Sequence, residues 1–77
     1  MKDVVIYSTP TCPWCTKVKD YLESKDIDFT DYDVTQDREK AVEMVNKSGQ
    51  QGVPVLDIAG DIIVGFNQAK IDELLDL

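Results

Sequence analysis

The chain contains no histidine and only two cysteines in its 77 residues, and these shortages limit the chemistry open to it. A tetrahedral zinc site takes four nitrogen or sulfur ligands, which these residue types do not supply here. Basic residues are also few, because eight lysines and arginines stand against fifteen acidic residues and leave a net charge of −7. Since the basic residues are scattered along an acidic chain, we expect no nucleic-acid partner.

Long apolar runs, repeats and low-complexity tracts are missing as well. The apolar run nearest the amino terminus, from Val4 to Tyr7, spans four residues. It is too short for the core of a signal peptide or for a membrane span. We therefore expect a cytoplasmic protein with no membrane partner. The length and the absence of a linker predict one domain over residues 1–77, and we expect it to be a monomer.

The two cysteines stand three positions apart in the motif Cys12-Pro13-Trp14-Cys15. The motif follows an apolar strand-like run and opens an amphipathic segment. Proline suits the first position of a helix, which makes Cys12 the N-cap. Free backbone N–H groups and the helix dipole favour a thiolate there. Cys15 lies one turn further on the same face, so the pattern predicts thiol–disulfide exchange, with Cys12 as the nucleophile and Cys15 as the resolving thiol. A structural disulfide is the alternative interpretation.

The spacing of apolar residues predicts an α/β protein with the element order β-α-β-α-β-β-α. The predicted strands cover Val4–Tyr7, Ile27–Val34, Val53–Ile58 and Ile62–Val64, and the predicted helices cover Pro13 to about Lys25, the stretch between Asp37 and Gly49, and a segment after Asn67. A crossover helix makes the first two strands parallel, and a hairpin with its turn at Ala59-Gly60-Asp61 adds an antiparallel pair. The result is a four-stranded mixed sheet flanked by three helices. In the second helix we expect Ala41, Val42, Met44 and Val45 to face inward.

On these features the chain resembles the glutaredoxins over nearly its whole length. The matching segments are Ile6-Tyr7-Ser8 before the cysteine motif, Asp33-Val34, Ser48-Gly49 before Val53-Pro54, and Gly65. The resemblance implies a thioredoxin-like fold, no bound cofactor, glutathione as a co-substrate, and disulfide-bearing proteins as partners. It also implies that Pro54 is a cis-proline facing the cysteines, although a proline is equally suited to the first residue of an edge strand.

The resemblance places substrate contacts around the cysteines, the proline and the start of the last helix, at Thr11, Pro13, Trp14, Val53, Pro54, Gly65, Phe66, Asn67 and Gln68. The backbone groups of Val53 would pair with an incoming peptide or with glutathione. Trp14 is either an exposed aromatic beside the nucleophile or a core residue, and its place in the first helical turn favours exposure.

Two departures from the glutaredoxin pattern leave the reductant open. Thr9 stands where glutathione-using members carry a basic residue, and Val64-Gly65-Phe66-Asn67-Gln68 replaces the usual Gly-Gly followed by aspartate. The ending Ile58-Ala59-Gly60-Asp61 instead resembles redoxins that thioredoxin reductase reduces and that supply electrons to ribonucleotide reductase. A third hypothesis is a module that holds an iron–sulfur cluster through Cys12 of two chains and two glutathiones, which the proline after Cys12 disfavours.

Overall fold

The computed structural model describes residues 3–77, so residues 1 and 2 of the predicted domain lie outside the described residues. Its helices and strands follow the predicted order β-α-β-α-β-β-α. They are β1 (Val4–Ser8), α1 (Pro13–Ser24), β2 (Thr30–Asp33), α2 (Arg38–Ser48), β3 (Val55–Ile58), β4 (Asp61–Val64) and α3 (Gln68–Leu75).

The strands form one mixed sheet in the order β2-β1-β3-β4. β1 and β2 run parallel because α1 carries the chain back between them, whereas β3 pairs antiparallel with both β1 and β4. These directions bring the carboxyl end of β1, the amino end of β3 and the carboxyl end of β4 to one edge of the sheet. The loops over residues 9–12, 49–54 and 65–67 therefore meet at that edge.

Both faces of the sheet are covered by helices. On one face, the inward residues of β1 pack against α1 and α3 in a cluster whose fully buried members include Ile6, Leu22 and Ile71. On the other face, Tyr7 and Met44 pack between the sheet and α2. Successive side chains of a strand point to opposite faces, so the neighbours Ile6 and Tyr7 join different clusters.

Each helix begins at a residue that the sequence marks as a cap. The sulfur of Cys12 caps α1, with Pro13 as the first helical residue. Asp37 caps α2 by accepting a hydrogen bond from the N–H of Lys40 at 3.2 Å, and Asn67 caps α3 in the same way at 3.2 Å. α2 ends at Gly49, whose φ of 75° lies in the left-handed region that glycine tolerates. These caps confirm the helix starts and the α2 stop expected from the sequence.

The predicted second strand, Ile27–Val34, was too long. β2 covers only Thr30–Asp33, because the N–H of Ile27 donates to the carbonyl of Leu22 at 3.0 Å and so completes the end of α1. Val34 lies just past the strand, although its N–H still bonds to the carbonyl of Ser8 at 3.0 Å.

The hairpin also differs from the prediction. β3 begins at Val55 rather than at Val53, which fits the missing N–H of Pro54. Asp61 belongs to β4 rather than to the turn, so the turn consists of two residues, Ala59 and Gly60. Their φ angles of 51° and 98° are both positive, as a type I′ hairpin turn requires.

The inward face predicted for α2 is wrong at one position. Val42 is 53% exposed, whereas Met44 is buried and Ala41 and Val45 are half-buried. A short apolar run contains more residues than one face of a helix can bury, and the pattern alone does not show which residue points outward.

In residues 3–77 no helix is long and apolar enough to cross a membrane.

We predict that Asp37→Ala lowers the free energy of unfolding by about 1 kcal/mol, because it removes the acceptor that satisfies the N–H of Lys40 at the start of α2. Asp37→Asn is the control, since asparagine keeps the acceptor oxygen and loses only the charge. Urea unfolding of both variants provides the measurement. Equal destabilisation by the two variants would show that charge, and not the cap, matters at this position.

Candidate active site

Cys12 lies where the loop after β1 enters α1. Its backbone is extended, with φ −91° and ψ 112°, and its sulfur accepts a hydrogen bond from the backbone N–H of Cys15 at 3.1 Å. The residue is half-buried. The sulfur therefore occupies the cap position predicted from the proline at the first helical residue. The positive end of the helix dipole and the donated N–H both favour negative charge on this atom.

Cys15 lies one turn into α1 and is fully buried against the sheet. Burial, followed by its hydrogen bond with Cys12, raises the pKa of the Cys15 thiol to about 11. The backbone N–H of Thr9 and the ammonium of Lys19 lower this pKa but do not offset the burial. Cys15 is thus a protonated thiol at neutral pH, and both cysteines are unpaired in the structure.

The carbonyl of Val53 lies on the opposite side of Cys12. The thiol of Cys12 donates to this oxygen across 3.8 Å. The peptide bond between Val53 and Pro54 is cis, as the resemblance implies. The N–H of Val53 makes no hydrogen bond to any part of residues 3–77. The carbonyl of Pro54 accepts the N–H of Gly65 at 2.8 Å, which ties this loop to the one after β4.

A shallow groove of about 220 Å³ runs beside the nucleophile. Its lining residues come from three parts of the chain: Trp14, Val53, Pro54, Gly65 and Phe66. Trp14 is 56% exposed, which confirms the expectation of an exposed aromatic, and its ring centroid lies 6.5 Å from that of Phe66. The ammonium of Lys17 lies 4.4 Å from the Trp14 ring centroid.

The other residues predicted to contact substrate do not line this groove. Thr11 and Pro13 are exposed in the loop and first turn before it. The side-chain oxygen of Asn67 caps α3 by accepting the N–H of Lys70, and Gln68 is exposed as the first residue of that helix. The structure therefore brings five of the nine predicted contact residues together around Cys12.

The surface around Cys12 carries no charged side chain within three segments, residues 9–16, 49–54 and 65–69, which we call the uncharged rim. All fifteen acidic residues of the chain lie outside these segments. Lys17 is the first charged residue that follows the cysteine motif. These segments present backbone amides, hydroxyls and aromatic rings to a ligand at Cys12, and the Lys17 ammonium over the Trp14 ring is a cation beside them.

Three polar residues that link β1, β2 and α1 were not predicted from the sequence. Ser8 is 2% exposed, and its hydroxyl donates to Asp31 of β2 at 2.6 Å. Lys19 of α1 donates to the other oxygen of the same carboxylate at 3.0 Å. The alternation along β1 contained a usable signal, because it places Ser8 on the face that α1 covers.

Within the described residues, no group of three or more His, Cys, Asp or Glu side chains is placed to hold a metal ion.

Comparisons with known proteins agree with this geometry. The sequence model of the glutaredoxin family matches residues 4–63. A glutaredoxin-like 8.6 kDa protein in a rubredoxin operon of Clostridium pasteurianum is 58% identical over 73 residues, which cover 95% of this chain and 97% of that protein. Glutaredoxin 3 of Escherichia coli (strain K12) is 35% identical over 65 residues, covering 84% of this chain and 78% of that protein.

Among solved structures, the glutaredoxin-like NrdH-redoxin from Escherichia coli, a protein with a thioredoxin-like activity profile, superposes with a TM-score of 0.82. It is 26% identical, and the match covers 94% of this chain and 93% of that one. The thioredoxin-like fold predicted from the sequence is thereby confirmed. With its family-model match and its relatives, the chain belongs to the glutaredoxin family of thiol–disulfide oxidoreductases.

Proposed function

We propose that the protein reduces disulfide bonds of other proteins by a dithiol mechanism, with Cys12 as the nucleophile and Cys15 as the resolving thiol. One observation carries this proposal. The sulfur of Cys12 is half-buried at the start of α1, where it accepts the N–H of Cys15 at 3.1 Å, and the Cys15 thiol is buried one turn behind it. Burial raises the pKa of the Cys15 thiol, whereas the half-buried sulfur of Cys12 is the one that a substrate can reach, which separates the two roles.

The reaction has two exchange steps. The thiolate of Cys12 attacks one sulfur of the substrate disulfide, forms a mixed disulfide, and releases the other substrate sulfur as a thiolate that takes up a proton. Cys15 then loses its proton and attacks the sulfur of Cys12. The bond between Cys12 and the substrate breaks, and the second substrate sulfur leaves as a thiol. The substrate gains two electrons, and Cys12 and Cys15 are left as a disulfide that an external thiol or reductase must reduce.

Substrate recognition follows from the backbone of Val53 and the groove beside it. The N–H of Val53 is free within the described chain, and its carbonyl lies 3.8 Å from the reacting sulfur. An extended peptide that carries the substrate cysteine can pair with these two groups as an added strand would. Its flanking side chain would rest on Trp14 and Phe66. The uncharged rim accepts a neutral polypeptide without requiring any charged partner.

We place the activity in the cytoplasm, where thiols are kept reduced. Glutathione is the reductant in this proposal, and we expect the protein to bind it weakly. Glutathione carries two carboxylates and one ammonium at neutral pH. The rim itself offers none of them a charged side chain, although the Lys17 ammonium lies over the Trp14 ring beside the groove. The net charge of −7 repels a ligand that is negative overall. Loss of one charge-assisted contact costs about 1.5 to 3 kcal/mol, so binding would be at least about tenfold weaker than in a charged site.

The alternative is a redoxin that thioredoxin reductase reduces and that supplies electrons to ribonucleotide reductase or another reductase. The same uncharged rim favours it, because a protein reductase can contact the Val53 backbone without needing a site for glutathione carboxylates. The similarity to an NrdH-redoxin with a thioredoxin-like activity profile gives this alternative a specific basis.

We predict that Cys12→Ser abolishes reduction of a protein disulfide such as that of insulin. Cys15→Ser is expected to accumulate a covalent mixed disulfide between Cys12 and the substrate, because serine cannot carry out the second exchange. Intact-mass spectrometry under non-reducing conditions detects the trapped species. The two variants are matched, since each replaces one sulfur by oxygen. Reduction of insulin at the wild-type rate by Cys12→Ser would overturn the assigned roles.

We predict that iodoacetamide modifies Cys12 and spares Cys15 in the reduced native protein at neutral pH. Burial holds the pKa of Cys15 at about 11, so its reactive thiolate is scarce, and the side chain is shielded by the fold. Modification of Cys15 is expected only at strongly alkaline pH or after unfolding in urea. Peptide mass mapping gives the extent at each site. Equal labelling of both cysteines in the native protein would contradict the prediction.

We predict that Thr9→Lys raises the rate of reduction of the protein by glutathione about fivefold, since an exposed ion pair contributes at most ~1 kcal/mol. The new ammonium would stand in the loop after β1, three residues before Cys12, and attract a glutathione carboxylate. Thr30→Lys is the matched control, because it adds the same charge at the opposite end of the sheet. The measurement couples oxidised glutathione to glutathione reductase and NADPH.

A parallel assay with thioredoxin reductase and NADPH separates the two reductants. Detectable turnover with glutathione, raised by Thr9→Lys and unchanged by Thr30→Lys, supports the glutathione proposal. No turnover with glutathione in any of the three proteins, together with rapid reduction by thioredoxin reductase, replaces it with the redoxin alternative.

A further inference from the structure

An ion pair joins α1, the helix that carries the buried Cys15, to β2. The ammonium of Lys19 lies 3.0 Å from one oxygen of the Asp31 carboxylate. The other oxygen accepts the hydroxyl of Ser8 at 2.6 Å. Ser8 is 2% exposed, so the carboxylate is held on its inner side by a buried group. The Lys19 ammonium is thus held by Asp31 of β2, and the Asp31 carboxylate is held in turn by Ser8 of β1.

The backbone places Lys19 and Ser8 on the same side of the sheet as Cys15. Lys19 follows Cys15 by four residues in α1, which puts both on one face of the helix. Ser8 ends β1 on the face that α1 covers. The ammonium of Lys19 is near enough to lower the pKa of Cys15, as is the backbone N–H of Thr9.

Other charged or titratable groups on the neighbouring elements do not supply a second cation. On α1 itself Cys12 faces Cys15 and raises the Cys15 pKa. On β2 the carboxylates of Asp31 and Asp33 lie within reach of Lys19. The loop of Val53 and Pro54 brings only uncharged groups. Lys19 is therefore the cation among the groups that act on the Cys15 thiol.

Resting on the dithiol function above, we propose that Lys19 is a positioning residue for the second exchange step. Its ammonium, paired with the Asp31 carboxylate that Ser8 holds in place, stabilises the negative charge that develops on the Cys15 sulfur as this thiol attacks the mixed disulfide at Cys12. During this step Cys12 is bonded to the substrate and no longer carries a charge, so of the two active-site sulfurs the ammonium acts on that of Cys15.

The balance of the step is simple. The S–H bond of Cys15 breaks, and its proton passes to water or to the departing substrate thiolate. A bond forms between the sulfurs of Cys15 and Cys12 as the bond from Cys12 to the substrate sulfur breaks, and the substrate sulfur leaves with the electron pair. Lys19 and Asp31 keep their protons and charges throughout. They lower the barrier only by being in place before charge develops.

The test separates the two exchange steps in one experiment. Reduced protein is mixed with an equal amount of Ellman's reagent, and release of thionitrobenzoate is followed by stopped flow. The first release reports attack by Cys12, and the second reports resolution by Cys15. We expect Lys19→Met to slow the second phase about threefold, because a partly exposed positive charge favours the thiolate that Cys15 must form, and to leave the first phase unchanged.

Two further variants make the result specific. Lys19→Arg is expected to restore most of the second phase, because it keeps the positive charge and the partner Asp31. Lys25→Met is the matched control, since it removes the same charge from the far end of α1. The difference in second-phase rate between Lys19→Met and the wild-type protein is also expected to shrink at strongly alkaline pH, where Cys15 is ionised in both proteins. An unchanged first phase shows that the variant is folded with its site intact.

Each contrary outcome has a distinct meaning. A second phase of Lys19→Met as fast as that of Lys25→Met overturns the role of Lys19 and leaves the dithiol function standing. Equal slowing of both phases, or no rescue by Lys19→Arg, also overturns it, because the effect would then be structural. Absence of a second phase in the wild-type protein overturns the dithiol function itself.

Discussion

The backbone N–H of Cys15 donates a hydrogen bond to the sulfur of Cys12 across the first turn of α1, at 3.1 Å. This contact is part of the helix start, because it satisfies one of the N–H groups that no helical carbonyl can reach. It is also part of the chemistry, because it favours negative charge on the sulfur that must attack. Burial of Cys15 and Leu22 against the sheet holds α1 in place and thereby fixes the direction of this N–H. Folding and reactivity therefore depend on the same turn.

The sheet supplies the second half of the site through its strand directions. Because β3 runs against β1, its amino end returns to the edge where α1 begins, and it carries Val53 to within 3.8 Å of the Cys12 sulfur. The loop after β4 reaches the same edge and is tied in by the hydrogen bond from Gly65 to Pro54. Three segments distant in sequence thus form one groove. This meeting depends on the antiparallel pairing of β3 with β1, which the element order does not fix.

The helix starts, the order of helices and strands, and the pair of reactive cysteines were predictable from the sequence, because each depends on a local pattern. Cap residues such as Asp37 and Asn67, the apolar spacing and the cysteine motif act over a few neighbouring positions. The contact of Ser8 with Asp31 depends instead on the register between β1 and β2, in which Asp31 pairs with Ile6. No short pattern specifies that register. The outward position of Val42 escaped prediction for a similar reason, since the packing of α2 on the sheet decides which side of the helix is covered.

The distribution of charge completes the physical picture. A carboxylate in the uncharged rim would repel the thiolate of Cys12, and the chain keeps all fifteen acidic residues out of those segments. On the α1 side of the sheet, the carboxylate of Asp31 is paired with the Lys19 ammonium at 3.0 Å, so its negative charge is balanced by a positive one. The acidic surface elsewhere serves solubility without acting on either sulfur. Under the proposed function, the same separation leaves the rim itself without a charged side chain for glutathione, with Lys17 over the Trp14 ring as a cation beside the groove.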